Sequence, residues 1–386
     1  MRIGVNTLFL IPGEVGGTET YLRQTLKAMA ANAAGHALVL FTNSENDAVL
    51  KADLAAYPWV RSVCLNFRAG NRFSRIVREQ VQLPLAVRRA GVDVLWSPGY
   101  TAPFCAPCPQ VTTVPDMQYK THPEDLTWLA LLTTALLVPM AVRRSRRVLA
   151  ISDFSRAEIV KYTGAHPGKI RVTPLAADEL SGARMDAATA KERASPLIGS
   201  AAPYLLVMAN TYPHKNAAAA VAAFGRLQSR IRHTLVLVGQ PRRGEAAVLA
   251  AVAGLPDRTR FTRLDWVARE DLGLLCRGAD VLVHPSLYEG FGLPVLEAMM
   301  AGIPVVTGLF GAIPEVGGDA CVYVDSRSPE ALAAGIAEVL AWDGATRSRR
   351  VAQARLHAAG FSWRRTAELT MAALVEAAQT AGSEGS

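Results

Sequence analysis

Cysteine is scarce: the chain has five in 386 residues, at positions 64, 105, 108, 276 and 321. So few thiols in so long a chain build no disulfide framework, and the odd number leaves at least one unpaired, which points to a reducing compartment. Cys105 and Cys108 have redox or zinc spacing, but no second pair follows, and prolines from Pro103 to Pro109 stiffen the segment into a loop, so neither role is expected. Long hydrophobic runs are also missing. The best, residues 126–142, is 17 residues long, is interrupted by Pro139 and is followed by four arginines. It lies at the lower limit for a membrane span and reads as a buried helix packed on a sheet, with contact to a membrane surface as the alternative. The N-terminus, MRIGVNTLFL, enters a strand pattern with no signal-peptide cleavage site, so a cytoplasmic location is expected. The loop after this first strand lacks Gly-x-Gly-x-x-Gly, which argues against a dinucleotide oxidoreductase, and Gly-x-Ser-x-Gly is absent.

Charge is present but uneven. Residues 1–195 hold 23 Lys+Arg against 16 Asp+Glu, whereas residues 196–386 hold 18 against 17, so nearly all of the net +8 sits in the first half. The excess is arginine, clustered at Arg68, Arg72, Arg75 and Arg78 and again at Arg143, Arg144, Arg146 and Arg147. An anionic partner of the first half is expected. Acidic lipid or a phosphorylated substrate fits; no nucleic-acid recognition motif accompanies the clusters, so nucleic acid is set aside.

Half of the residues are hydrophobic, only 19% are charged, and the length suggests two globular domains. Short apolar runs alternate with helical patterns, the signature of parallel sheets wound by crossover helices. Strands are expected at 3–9, 37–41, 92–96, 110–114, 148–151 and 170–173, with helices at 18–31, 74–89, 124–144 and 155–162. The stretch 175–200 is rich in alanine and small polar residues and reads as the domain boundary. Beyond it, strands are expected at 204–208, 234–238, 260–263, 281–284, 304–307 and 321–324, and helices at 216–228, 245–253, 269–276, 294–301, 329–342 and 364–377. The fold class is therefore α/β, with two successive doubly wound, Rossmann-like domains at 1–180 and 200–360, each placing ligand-binding loops at the carboxyl ends of its strands and taking a substrate between them. The polar tail, 379–386, reads as disordered.

The strongest chemical signal runs from Glu289 through Gly290, Phe291, Gly292 and Pro294 to Glu297, after a strand ending in His284. Pro294 suits a first helical turn, the two glycines let main chain approach a ligand, and the helix start offers N–H groups. This is an anion site made of main chain, flanked by two carboxylates. An acid so near a phosphate makes sense where it accepts hydrogen bonds from hydroxyls, as sugars provide; the residue types also allow both acids simply to answer the helix macrodipole.

Two glutamates seven residues apart, in the context HPSLYEGFGLPVLEAMMAGIPVV, resemble the E-x7-E motif of the family 4 retaining glycosyltransferases, which have the GT-B fold. The resemblance extends to Gly16-Gly17-Thr18 with Tyr21, to DMQYKTHPE at 116–124, ISDFS at 151–155, Pro213-His214-Lys215-Asn216, GAIPEVGG at 311–318 and Phe361-Ser362-Trp363. It implies a hexosyltransferase acting without metal or other cofactor, in polysaccharide biosynthesis, on a nucleotide-diphosphate sugar donor and a saccharide or lipid-linked saccharide acceptor. By the same resemblance Glu297 binds the ribose hydroxyls, Glu289 contacts the transferred sugar, and the main chain of Gly290, Phe291 and Gly292 holds sugar and diphosphate. Lys215 would neutralise the leaving diphosphate, Gly16 and Gly17 would bring N–H groups to it from the first domain, and the helix at 361–378 is expected to return to that domain. With the arginine excess, an acceptor carrying phosphate and peripheral contact with an anionic membrane follow as expectations.

The chain departs from the family at two places. Many relatives have His-Asp where this chain has Pro115-Asp116, and Arg-Lys where it has His214-Lys215, with no arginine a few residues earlier. Asp116 is the first-domain carboxylate placed to orient the acceptor, or a turn-capping residue, and His214 can give a cation or donor. A catalytically silent nucleotide-sugar-binding protein and a nucleotide-sugar epimerase of similar shape remain as alternatives. Asp-x-Asp is absent, which disfavours the metal-bound diphosphate of the other main glycosyltransferase fold.

Overall fold

The computed structural model describes all residues except 15, 34, 178–184 and 380–386. The chain divides into two compact units, Met1–Leu175 with the segment from Ser362 onward, and Ala176–Phe361. The tail read as disordered lies, beyond Gln379, outside the described residues.

The first unit is a seven-stranded sheet of β1 (Arg2–Asn6), β2 (Ala37–Thr42), β3 (Val60–Cys64), β4 (Val94–Ser97), β5 (Gln110–Thr113), β6 (Arg147–Ala150) and β7 (Ile170–Val172). The order is β3-β2-β1-β4-β5-β6-β7, and every pairing is parallel. Both central strands β4 and β5 are buried at every position; β4 is apolar up to Ser97, while β5 buries Gln110, Thr112 and Thr113, whose side chains bond to the Pro103 carbonyl, Ser145 and Trp96. The strand order reverses between β1 and β4, which end in Asn6 and Ser97.

Helix Gly17–Ala31 is fixed to the sheet by Tyr21, whose ring meets Trp96 edge-on and whose hydroxyl lies 3.0 Å from Thr113 Oγ1. The C-terminal helix, Trp363–Gln379, packs beside it. Arg147 and Arg171 donate to Glu376 at 2.6 and 3.0 Å, and Thr366 donates to the Pro174 carbonyl at 2.6 Å, so the end of the chain is tied to the first sheet.

Two first-unit helices differ from expectation. The helix read at 74–89 runs from Arg72 to Arg89 with a π-helical turn, Arg78–Gln82, in its middle. The helix read at 124–144 starts at Trp128, where Thr127 accepts from the Ala130 amide at 3.2 Å. It is buried at Val138, Ala141 and Val142, but Trp128, Leu129, Leu132 and Leu136 are exposed, which corrects the expectation of a buried helix. Among the described residues no helix is long and apolar enough to cross a membrane.

The second unit has six parallel strands: β8 (Tyr204–Met208), β9 (Thr234–Val238), β10 (Phe261–Leu264), β11 (Val281–His284), β12 (Val305–Thr307) and β13 (Val322–Tyr323), in the order β10-β9-β8-β11-β12-β13. Here the order reverses between β8 and β11. Helix Ala217–Leu227 packs a small-residue face, including Ala219, Ala220 and Ala223 with Phe224, into this unit's core. Part of the stretch read as a boundary is helical: Ala187–Ile198 is capped by Asp186, which accepts from the Thr189 amide at 2.9 Å, and stopped by left-handed Gly199. Its Ala190, Ala194 and Ile198 are buried, and Lys191 pairs with Asp280 at 3.0 Å.

Candidate functional site

In the second unit, two loops meet where the strand order reverses, the place where open parallel sheets bind ligands. One leaves β8 and tightens into the short turn Pro213–Lys215; the other leaves β11 and runs through Glu289 to the helix Leu293–Ala301. A backbone bond joins them, the Leu287 amide donating to the His214 carbonyl at 2.7 Å, and the loop after β12 braces the second, the Ala312 amide donating to the Glu289 carbonyl at 2.9 Å. Asn216, in the left-handed region at φ 52°, donates to the Ser326 carbonyl at 2.7 Å and begins the helix Ala217–Leu227.

This frame brings three ionisable side chains together. Lys215 Nζ donates to Glu289 Oε1 at 2.7 Å, and His284 Nε2 lies 3.0 Å from the same oxygen. Glu289 is only 7% exposed. Burial opposes its charge, but the Lys215 ammonium and then His284 outweigh that penalty and hold its carboxyl well below the usual carboxylate range. The site thus keeps a buried anion charged by giving it an adjacent cation.

The main chain after Glu289 is shaped for close approach. Gly292 caps the helix Leu293–Ala301 at φ 103°, where a β-carbon would fall 2.5 Å from Ile313 Cδ1. Gly311 has φ 65°, and a β-carbon there would lie 2.3 Å from the Glu289 carbonyl oxygen. At Gly311 a side chain would displace the main chain of the loop, whereas at Gly292 the positive φ is the obstacle and the Ile313 side chain would have to move. Pro294 occupies the first turn, whose amides have no acceptor within the helix. The Phe291 ring is held edge-on to Phe361, with centroids 5.8 Å apart. Glu297 is half-buried on the same helix, and its charge, after burial, helps to push the Cys276 thiol up.

Lys215, Glu289 and the Gly290–Phe291–Gly292 segment therefore stand in one locality of the second unit. His214 does not present an open side chain: it is buried, stacked on Tyr212 with ring centroids 5.8 Å apart. Sequence reasoning missed His284 as a site residue, although a histidine closing a strand five residues before Glu289 is the signal that marks it.

In the first unit, Gly16 takes φ 56° at the cap of helix Gly17–Ala31, where an added β-carbon would meet open space. Asp116 follows β5 and accepts from the Gln118 amide at 3.0 Å, while Ser155 donates to the Pro115 carbonyl at 2.6 Å. A second missed residue lies at this unit's own reversal point. Glu79, in the π-helical turn, is 5% exposed and accepts from Asn6 at 2.7 Å and from Thr101 at 2.8 Å. Burial raises its pKa, only partly countered by those bonds. The signal was a lone acid between Asp53 and Asp93, surrounded by arginines.

The five cysteines are free thiols, and burial pushes Cys108 up to about 12. Among the described residues no group of three His, Cys, Asp or Glu could hold a metal ion.

Comparison with known proteins agrees with this arrangement. The family model "Glycosyltransferase Family 4" matches residues 15–179, and "Glycosyl transferases group 1" matches residues 188–357. O-antigen chain mannosyltransferase B of Escherichia coli is 34% identical over 225 residues, 57% of this chain and 58% of that protein. A D-inositol 3-phosphate glycosyltransferase of Geodermatophilus obscurus is 32% identical over 251 residues, 62% of this chain and 54% of its own length. The matches thus span little more than half of these relatives. Among solved structures, Anabaena HepE in complex with UDP-glucose superimposes with TM-score 0.73 at 18% identity, covering 99% of this chain and 100% of that one. WaaG, a glycosyltransferase involved in lipopolysaccharide biosynthesis, does so with TM-score 0.69 at 17% identity, covering 97% and 98%. Between them the two family models account for most of the chain, and the two Rossmann-like sheets give the matching architecture: this chain belongs to the family 4 glycosyltransferases and has the GT-B fold.

Proposed function

We propose that the protein is a retaining, metal-independent glycosyltransferase that moves a hexose from a nucleotide-diphosphate sugar to a glycan or lipid-linked saccharide in polysaccharide biosynthesis. The observation that carries this reading is the Lys215–Glu289 pair, 2.7 Å apart at the reversal point of the second sheet and just ahead of a helix N-terminus. When the anomeric carbon–oxygen bond breaks, its electron pair leaves with the diphosphate. A fixed ammonium and helix amides aimed at that oxygen favour the departure; one lost donor of this kind costs about 3 kcal/mol. In the retaining reading the acceptor oxygen bonds to the same face of the sugar, and its proton passes to the departing phosphate oxygen. Glu289 accepts from sugar hydroxyls, Glu297 from ribose hydroxyls, and Gly290, Phe291 and Gly292 contribute main chain. His214, being buried, supports the loop. Gly16 and Gly17 add amides from the first unit, where Asp116 orients the acceptor. The names of the mannosyltransferase and inositol-phosphate glycosyltransferase relatives, and the UDP-glucose in the HepE complex, support the substrate class.

Thermal-shift screening against UDP-, GDP-, ADP- and dTDP-sugars should identify the donor, because a ligand bound to the native state alone raises stability with its concentration. Glu297→Ala should then weaken that donor about tenfold or more with little change in melting temperature. Unchanged donor affinity would remove Glu297 from the site. The silent-binder alternative rests on Pro115, which puts a buried ring where many relatives have an imidazole. Donor binding without transfer or hydrolysis would favour it.

A further inference from the structure

Helix 72–89 and helix Trp128–Arg144 both belong to the first unit, and both leave apolar side chains in solvent. On the first, Phe73, Val77, Val81 and Leu85 are exposed, Phe73 by 77%. They stand four residues apart. In an α-helix such a series drifts about 40° per step, so four residues would wind roughly a third of the way round. The wider π-helical turn, Arg78–Gln82, falls between the second and last of them and cuts that drift. The buried series, Glu79, Leu83 and Val87, has the same spacing on the other side. The turn therefore keeps an outward apolar stripe in line.

On the second helix Trp128, Leu129, Leu132 and Leu136 form the exposed face, Trp128 by 76%. Hydrogen bonds join the two elements side by side. The Arg72 guanidinium donates to Thr133 Oγ1, Thr134 Oγ1 and the Ala130 carbonyl at 2.8–3.2 Å. Phe104, also exposed, closes the other end: its amide donates to Gln80 Oε1 at 2.8 Å, and the Arg144 guanidinium lies 4.0 Å from its ring centroid. Residues 66–92 and 126–147 carry ten arginines and a single acid, Glu79, which faces inward.

We infer that this face docks on an anionic phospholipid bilayer, the apolar stripes entering the headgroup boundary and the arginines meeting lipid phosphates. The inference rests on the proposed function only in supposing that the acceptor is lipid-linked. Apolar side chains in line, with cations around them and no exposed acid in either segment, match a surface that is greasy inside and negative outside. Arg147 is paired with Glu376, but Arg68, Arg88, Arg89, Arg143 and Arg144 are exposed with no exposed acid in either segment, so charge favours an anionic bilayer over a folded protein partner of mixed charge.

The test is co-sedimentation of the full chain with phosphatidylcholine vesicles, alone or with about 30% phosphatidylglycerol. The expected result is binding to the anionic vesicles, at least about tenfold weaker on neutral ones, and falling as salt is raised. Leu132→Glu with Leu136→Glu, and separately Val77→Asp with Val81→Asp, should each lower vesicle affinity about tenfold or more while leaving the melting temperature in place. Equal binding to both vesicles, or wild-type binding by both double variants, overturns the inference. So does a concentration-dependent dimer abolished by the same substitutions, which assigns the face to a second copy. The donor thermal shift is read on the same preparations: lost vesicle binding with an intact shift overturns the surface alone, whereas no shift with any donor overturns the functional reading.

Discussion

Replacing Lys215 by methionine tests the site at its centre. The substitution keeps most of the side-chain volume but leaves the Glu289 carboxylate, 7% exposed, with only His284 at 3.0 Å to offset burial. Breaking a buried ion pair by removing one partner costs about 3–5 kcal/mol. The lower end applies here, since the Lys215 side chain is 23% exposed and His284 remains. A loss of about 3 kcal/mol is expected for the second unit at neutral pH. The sign against pH follows from the depressed carboxyl of Glu289. Its contribution is fully present above the ordinary carboxylate range and fades as pH falls through the depressed value. The penalty of Lys215→Met should shrink in the same way, because a protonated Glu289 no longer needs the ammonium. Hydrogen exchange of the β8 and β11 amides reads the stability of this unit by itself. A double-mutant cycle with Glu289→Gln should give a coupling of about 2–3 kcal/mol; a value below about 0.5 would refute the pairing. Transfer should fall about 100-fold or more in the same variant if Lys215 meets the leaving diphosphate.

Gly311→Ala puts a β-carbon 2.3 Å from the Glu289 carbonyl oxygen at a φ of 65°, so it should cost about 2 kcal/mol or more and weaken donor binding with it. Wild-type melting temperature and donor affinity would show that the loop is not held as described. Glu79→Gln copies the protonated acid between Asn6 and Thr101, so its protein should match wild type at acid pH and exceed it in stability toward neutral pH, as read by urea midpoints across that range. Parallel stability profiles would show that Glu79 titrates as a free acid.

The parts that sequence made legible are those where chemistry and periodicity coincide. Strands β8, β9 and β11 are apolar at almost every position because both faces are covered, and their bounds, 204–208, 234–238 and 281–284, were read without error. Strand β3 was not expected: it is an edge strand, half-buried and carrying Arg61 in its interior, so its hydrophobic signal is diluted. The helix Ala187–Ile198 reads as linker because its buried face is mostly alanine. Helix Gly344–Ala358 buries only Ala354 and Ala358 and shows a polar, arginine-rich pattern with almost no apolar stripe. At the site, the spacing of Glu289 and Glu297 was visible, but its meaning was not uniform: one acid is buried against two basic side chains, the other half-buried along the helix. Sequence distance hides the meeting of Lys215 with Glu289, 74 residues apart, which depends on two loops crossing at a strand reversal.

Both sheets place a buried glutamate where their strand order reverses, and the two have been driven in opposite directions. Glu289 has two basic neighbours that outweigh burial and lower its pKa; at Glu79 burial outweighs the Asn6 amide, the Thr101 hydroxyl and Arg75, and its pKa rises. The consequence for stability differs in sign. Glu289 loses its contribution as pH falls, whereas Glu79 contributes fully below the ordinary carboxylate range and loses that contribution as pH rises through its raised value. A carboxylate held ionised suits an acceptor of hydroxyl hydrogen bonds beside a cation; a carboxyl whose burial favours the protonated form gains a hydrogen-bond donor and sheds its charge when it takes up a proton. Arg75 is part of this balance: burial disfavours its charge, and the Glu79 carboxylate, where ionised, favours it. Glu79 thus places a titratable group inside the π-helical turn Arg78–Gln82, the same turn that keeps the exposed apolar stripe in line.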